Sequence, residues 1–273
     1  MPDKQQPILE MRDVCVGVSA LGEKPILNHI DLRLNIGEML GIVSETGSGK
    51  SMMLQTILQL LPGKTRMHAG EIRYEGTAVS EMSEKQLQQW RGREVGLIVS
   101  NPRSVLDPIT TIGKQIVQVI RSHQKVDRLE AVAQAIALLQ QLEIPDALRR
   151  FDAYPHEMSG GMCQRIVIAM ALANGPKLIL ADEPTSGLDV TVQRQVLDLM
   201  AHQLEHHHTS AIIVTRDLGI VAQYCHKIAV LKEGQIIEIN DVVSFFESPR
   251  HEYSQRLLEL TRAEGRENDD GAA

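Results

Sequence analysis

The chain has 273 residues, 43% hydrophobic and 23% charged, with a formal net charge of −7, which is ordinary globular usage and excludes a disordered or fibrous protein. One Trp, four Tyr and three Phe are too few for a base-stacking platform, and the acidic balance argues against nucleic acid as a partner. Cys15, Cys163 and Cys225 are far apart and without CxxC spacing, so they read as reduced thiols and not as a disulfide or zinc framework.

Residues 1–7 lack the apolar segment of a signal peptide. No stretch reaches the roughly 18 apolar residues of a membrane span, so any membrane connection has to run through a partner. Residues 8–11, 14–18 and 30–34 alternate as half-buried strands, and 38–43 is a continuous apolar run of a strand buried on both faces. A glycine-rich segment follows. The spacing then predicts a helix over 52–61, ended by Pro62-Gly63. From about 103 to 155 the pattern turns helical, with amphipathic stretches at 112–120 and 129–142 that read as a helical insertion. Buried-strand patterns return at 178–181 and 211–214, with a helix over 190–204 between them. A strand pair at 227–231 and 235–238 is joined at Glu233-Gly234. Strand alternating with helix points to a mainly parallel α/β sheet. Residues 262–273 are polar and are expected to be a frayed tail.

Ser44-Glu45-Thr46-Gly47-Ser48-Gly49-Lys50-Ser51 lies between the buried strand and the helix, the context a phosphate-binding loop requires. Small residues let successive N–H groups curl around a phosphate, and the helix N-terminus adds its dipole. Lys50 is placed to reach the β- and γ-phosphates of ATP and Ser51 to hold Mg²⁺. The usual pattern opens with Gly where this chain has Ser44. A Ser is worse than Gly wherever φ must be positive, so an altered loop entry is expected. The strand at 178–181 runs into Asp182-Glu183. Asp182 suits the metal, and Glu183 suits a general base that polarises an attacking water.

Between these motifs stands Met158-Ser159-Gly160-Gly161-Met162-Cys163-Gln164-Arg165, opening a helix. In this order and spacing, the set resembles the nucleotide-binding subunit of an ABC transporter. Ser159, Gly160, Gly161 and Met162 resemble that family's signature, which acts in trans on a partner's ATP site. Asp182-Glu183-Pro184-Thr185 resembles its Walker B region, and Ser186-Gly187-Leu188-Asp189 its D-loop. The resemblance implies a P-loop NTPase fold over residues 1–261: a RecA-like α/β core, an N-terminal antiparallel β subdomain and an inserted α-helical subdomain at about 103–170. The strings at 101–108, 154–162 and 248–253 resemble the peptide and nickel importers. In that group two different ATP-binding subunits pair under two integral-membrane permease subunits, fed by an external binding protein, at the cytoplasmic face of the cell membrane. Ending at Ala273 without a cysteine-rich extension leans toward the nickel-like members.

Three positions depart from the family pattern. Ser100 stands where a glutamine is expected, Arg216 where a histidine is expected, and Val18 where many relatives stack an aromatic on adenine. Arginine can hold a phosphate but has no acceptor and cannot give up its proton. The chain's own ATP site is therefore expected to be slow or degenerate, with an intact signature completing the partner's. A soluble ABC-type ATPase of DNA repair or translation is the rival reading, and a regulatory nucleotide-binding module with little hydrolysis is another. One domain, no long heptad run and no basic patch weigh against the first. His206-His207-His208 reads as solvated surface rather than a metal site. Cys163, beside a helix start, has either a lowered thiol pKa or a simple packing role.

Overall fold

The computed structural model describes residues 7–18, 25–207 and 209–270. In chain order the elements are β1 (Pro7–Val18), β2 (Leu27–Asn35), β3 (Met39–Val43), α1 (Lys50–Ile57), β4 (Thr65–Tyr74), β5 (Thr77–Ala78), α2 (Glu84–Arg93), β6 (Val95–Ile98), α3 (Ile112–His123), α4 (Arg128–Gln141), α5 (Ala147–Phe151), α6 (Gly160–Leu172), β7 (Leu178–Asp182), α7 (Val190–His207), β8 (Ser210–Thr215), α8 (Leu218–Tyr224), β9 (Lys227–Lys232), β10 (Gln235–Asp241), α9 (Val242–Glu247) and α10 (Glu252–Asp270). They divide into two compact units, one of Met1–Ser80 with Ile212–Ala273 and one of Glu81–Ala211. No helix among the described residues is long and apolar enough to cross a membrane.

The first unit contains an antiparallel sheet in the order β2-β1-β4-β5. In β2, Ile30, Leu32 and Leu34 are buried while Asp31 and Arg33 between them are exposed, the period-two pattern of a sheet with one wet face. The two short strands expected at 8–11 and 14–18 are one strand, β1. Its register shifts between Met11 and Val14, where Asp13 takes φ 52°. A bulge absorbs the break in alternation without ending the strand.

The unit's other strands run in the order β10-β9-β3-β8. Every residue of β3 is buried, and it pairs in parallel with β9, Val43 opposite Val230. Strands β9 and β10 form a hairpin across Glu233 (φ 47°) and Gly234 (φ 78°). Two successive positive-φ residues are what a two-residue hairpin turn needs, as the sequence expectation had it. Beneath these strands Leu218, Val221, Phe245 and Leu258 close around Val43 and Val230 in one apolar cluster.

Helix α1 stops at Ile57, four residues short of the expected end. Gln59 turns left-handed (φ 55°) while Leu60 N–H bonds the Gln55 carbonyl at 2.8 Å, a C-terminal cap formed well before Pro62. Helix α10, by contrast, continues through Asp270, taking in residues 262–270 that composition marked as a frayed tail. Residues 271–273 of that tail lie outside the described residues.

In the second unit β6 and β7 pair in parallel, Ile98 opposite Ala181, and α3 to α6 supply the helical stretch expected from about 103. Helix α2 begins in a capping box, with the Gln86 amide accepting from Ser83 N–H at 2.8 Å. The buried Gln115 of α3 holds the preceding loop, accepting from Asp107 N–H (2.9 Å) and donating to the carbonyls of Asp107 (3.0 Å) and Thr110 (2.8 Å). Strands β4 and β6 and helix α2 were not anticipated. Most of β4 is exposed or half-buried, so its alternation is weak, and β6 has only four residues.

Glu238 on β10 fastens the segment that leads into α10. Its carboxylate accepts from Arg250 N–H (2.9 Å) and His251 N–H (3.0 Å). Burial alone would raise its pKa, but these main-chain bonds outweigh it and hold the carboxyl below its ordinary value. A depressed folded-state pKa contributes stability that is present above the unfolded value and is lost as pH falls through the folded one. Glu238→Gln is expected to cost about 1–3 kcal/mol at neutral pH. It should also flatten the fall in thermal stability that the lowered Glu238 pKa leads one to expect of the unsubstituted chain in acid, as read by melting curves across pH 3–7.

Candidate functional site

The loop between β3 and α1 is built around a buried cation. Lys50 is 7% exposed, and its ammonium donates to the carbonyls of Ser44 (2.8 Å) and Glu45 (3.1 Å). A charge taken from water needs such partners, since leaving it without them costs several kcal/mol. Ser48 Oγ donates to the Glu45 carbonyl at 2.8 Å and draws the loop's two limbs together. Positive φ falls at Gly47 (84°) and at Gly49 (100°), which caps α1.

Ser44 is not among the positive-φ residues, so the expected disturbance of the loop entry is absent. Ser44 is buried, and its hydroxyl lies 3.3 Å from the Glu45 carbonyl. The position that demands glycine is Gly49. A Cβ there would sit 2.9 Å from Leu27 Cδ2 and 3.2 Å from the Ile26 carbonyl oxygen. The loop is backed by the β9–β10 turn: Gly234 N–H donates to the Ser48 carbonyl at 3.1 Å, and the Gly234 carbonyl accepts from Asn28 N–H at 2.8 Å. Glu45, Thr46, Gly47 and Ser51 are exposed. The cradle therefore presents a helix N-terminus with no acidic residue in its first turn, the electrostatic setting an anion prefers.

Arg216 belongs to the same unit. It is exposed just past the end of β8, a neighbour of β3 in the strand order. Thr215 Oγ1 accepts from Asp217 N–H at 3.0 Å, and Asp217 caps α8 by accepting from Gly219 N–H at 2.7 Å. Arg216 is thereby fixed between a strand end and a capped helix.

The second unit brings Ser100, Asp182 and Glu183 to one end of the parallel pair β6–β7. Asp182 and Glu183 are half-buried, Glu183 at φ 45°, and Ser100 is exposed. A non-glycine residue at positive φ is uncommon and tends to occur where function fixes the backbone. Ser159 caps α6, its hydroxyl accepting from Met162 N–H at 3.2 Å. Ser159 and Gly160 are exposed, Gly161 and Met162 half-buried. A Cβ on Gly160 would meet nothing within 4 Å, whereas one on Gly161 would approach Val192 to 3.2 Å.

Gln164 lies within the signature string, five residues after Ser159. It is buried and donates from Nε2 to the Val99 carbonyl at 3.3 Å, so the signature helix is tied to the residue before Ser100. Cys163 corrects one alternative. It is fully buried, and burial pushes its thiol up despite the opposing Arg103 side chain, which leaves the packing role. Val18 ends β1 opposite Thr65; residues 19–24 lie outside the described residues, as do the side chains of 203–208 with His206-His207-His208. The sequence also missed the meeting of Asp13, Cys15 and His29. Their polar atoms come within 4.8 Å of one another on the antiparallel sheet because the β1 bulge turns Asp13 toward β2.

A buried lysine in a glycine-turned loop between a fully buried strand and a helix, with an acidic strand end and a serine-capped Gly-Gly helix, defines a P-loop nucleotide-binding cassette. The family described as ABC transporter matches residues 27–186, and the chain belongs to that family. It is 41% identical over 262 residues to the probable D,D-dipeptide transport ATP-binding protein DdpD of Escherichia coli, covering 95% of this chain and 80% of that one. It is 43% identical over 253 residues to the oligopeptide transport ATP-binding protein OppD of Bacillus subtilis, covering 92% and 71%. Among solved structures, the ATP-binding cassette MJ0796, a dimer in a post-hydrolysis state bound to ADP and Pi, superposes with a TM-score of 0.77 at 25% identity. That match covers 86% of this chain and 98% of that one. The α/β P-loop fold expected from the motifs is thus borne out.

Gly49→Ala is expected to destabilise the protein by about 1–3 kcal/mol through its left-handed backbone and the contact with Leu27 and Ile26, measured by urea denaturation.

Proposed function

We propose that this chain is the ATP-binding subunit of a membrane importer for peptides, taking ATP with Mg²⁺ at residues 44–51. The observation that carries the reading is the buried Lys50 ammonium held at the centre of a loop that opens onto a helix N-terminus. That donor set fits a polyphosphate: Lys50 can exchange its loop carbonyls for phosphate oxygens, while N–H groups of residues 47–51 supply neutral donors. Mg²⁺, assigned to Ser51 and Asp182 by motif, supplies charge neutralisation on the phosphates. Glu183 is assigned the general-base role, accepting the proton of an attacking water. Relatives named for dipeptide and oligopeptide transport support peptides as cargo over nickel or a metal chelate.

On this reading residues 1–261 are the cassette, with a helical subdomain at about 103–170. Two such subunits work beneath two integral-membrane permease subunits, at the cytoplasmic face of the cell membrane, with an external binding protein delivering cargo. The loop at 101–110 suits the permease contact. Gln115 holds its backbone, and Asp107 accepts from Ile109 N–H (3.0 Å) and Thr110 Oγ1 (2.6 Å). Val105 and Ile109 meanwhile stand exposed, Ile109 by 83%. Large apolar side chains on a braced loop fit a docking surface.

Ser100 and Arg216 assign the chain a slow site of its own. Ser159, Gly160, Gly161 and Met162 complete the active site of a different ATP-binding partner. Arg216 can bind phosphate but cannot accept a proton from the water that Glu183 activates. In the assembled heteromeric complex, Ser100→Gln with Arg216→His is expected to raise ATP turnover by about tenfold or more; unchanged turnover overturns the degenerate-site assignment. Val105→Ser with Ile109→Ser is expected to abolish co-purification with integral-membrane subunits while Mg-ATP uptake by calorimetry is retained. Recovery with nucleic acid instead would favour the repair or translation reading.

A further inference from the structure

The antiparallel sheet gathers three side chains that the nucleotide site does not use. Val14 pairs with Ile30, and both are fully buried. Two bulges bracket that pair. Met11 lies opposite Leu32, so Arg12 and Asp13 together face the single residue Asp31. Val16 lies opposite Leu27, so Cys15 alone faces Asn28 and His29. Each bulge holds a left-handed residue, Asp13 at φ 52° and His29 at φ 53°. A bulge re-aims a side chain, and these two bring a carboxylate of β1 and an imidazole of β2 to the Cys15 thiol. A carboxylate oxygen of Asp13, a ring nitrogen of His29 and Cys15 Sγ all lie within 4.8 Å of one another. His29 N–H donates to Cys15 Sγ at 3.3 Å, Asp13 N–H donates to the Asp31 carboxylate at 2.9 Å, and the Asp13 carboxylate pairs with His29 Nδ1. On the other side of β1, Cys15 lies opposite Ala69 of β4. A Cβ on the adjacent Gly70 would collide with the main-chain carbonyls of Arg12 and Asp13, so the bulged segment is clamped between β2 and β4.

Thiolate, imidazole and carboxylate together are the donor types of Zn²⁺, which takes sulfur, nitrogen and oxygen in a tetrahedron, whereas Mg²⁺ and Ca²⁺ take oxygen. Donors around a tetrahedral Zn²⁺ stand about 3.3–3.8 Å apart. The three groups therefore need to close by only about an ångström. The Asp13 and His29 side chains are each 65% exposed, so little packing resists that adjustment. Three protein donors leave the fourth position to water, and the Asp31 carboxylate beside Asp13 adds a negative potential that favours a cation. An exposed Asp–His contact by itself is an ordinary surface ion pair; the sulfur opposite His29 turns the pair into a ligand set. The lack of CxxC spacing is no guide here, because the donors come from two strands and are united by register, not by spacing along the chain.

We propose that Asp13, Cys15 and His29 form a Zn²⁺ site on β1 and β2, separate from the Mg²⁺ assigned to the nucleotide. The test titrates Co²⁺, whose thiolate complexes absorb in the near ultraviolet, into the reduced, nucleotide-free full-length chain. The charge-transfer band is expected to saturate at one ion per chain, to vanish on addition of Zn²⁺ and to survive excess Mg²⁺. Cys15→Ser is expected to lose the band. Asp13→Asn and His29→Asn retain a residue that tolerates left-handed backbone and are expected to bind Co²⁺ about tenfold more weakly or worse. No band in wild type overturns the proposal, as does a band that persists in Cys15→Ser or yields to Mg²⁺. Unchanged affinity in either of the other two variants overturns it as well. A measurement without substitution guards against a variant that fails to fold. Saturating Zn²⁺ is expected to slow alkylation of Cys15 in wild type about tenfold or more, as read by peptide mass, and an unslowed rate overturns the site.

Discussion

A single buried ammonium sets the terms for the phosphate-binding part of the molecule. Lys50 is almost wholly removed from water, and such a charge is tolerable only if hydrogen-bond acceptors surround it. The acceptors are the loop's own carbonyls at Ser44 and Glu45, so the loop must curl back over its lysine. That curl requires left-handed backbone at Gly47 and Gly49. It also requires rigid support from outside the loop, because carbonyls turned inward leave the outer limbs without a ladder. The β9–β10 turn and the start of β2 provide it. Strand, hairpin and helix are thus arranged around one cation, and an anionic ligand is the natural replacement for the carbonyls that hold it.

The residues that the proposed function assigns to the site differ in how far the fold constrains them. The proposed function assigns the phosphate to Lys50 and Ser51, the acidic strand end to Asp182 and Glu183, and the part acting on a partner's site to Ser159, Gly160 and Gly161. Ser100 and Arg216, on which the proposed slow site rests, are exposed at strand ends, where side chains contribute little to packing. A fold can tolerate changes there at little cost in stability, so catalytic competence and structural integrity are free to diverge at those sites. An arginine at position 216 can pair with phosphate but cannot accept a proton, and the proposed slow site rests on that chemistry.

Much of the fold was legible from residues 38–61 and 177–238. There continuous apolar runs and a glycine-rich loop leave few alternatives, and β3, β7, β8 and the β9–β10 hairpin follow the expected boundaries within one to three residues. The stretch 65–98 was illegible. β4 is wet on most of its length and β6 is too short to show a period, so neither carries the hydrophobic signal that sequence reading depends on. The end of α1 was misjudged because a left-handed Gln59 closed the helix where Pro62 was expected to. The supposed difficulty at Ser44 vanished because a residue's backbone angle depends on the loop's path, and the path placed its left-handed turns two glycines later.

By itself the sequence determined the chemistry: a lysine and a serine after a glycine-turned loop, carboxylates at a strand end, and a Ser-Gly-Gly helix cap. These are local, because spacing along a few residues decides which donors can face one ligand. The tertiary structure decided what lies beside them. It tied Gln164 to Val99, buried Cys163 beyond easy ionisation, and assembled Asp13, Cys15 and His29 from two strands. Each of these depends on sheet register and helix packing, which are settled by apolar burial over the whole core and leave no mark in local spacing.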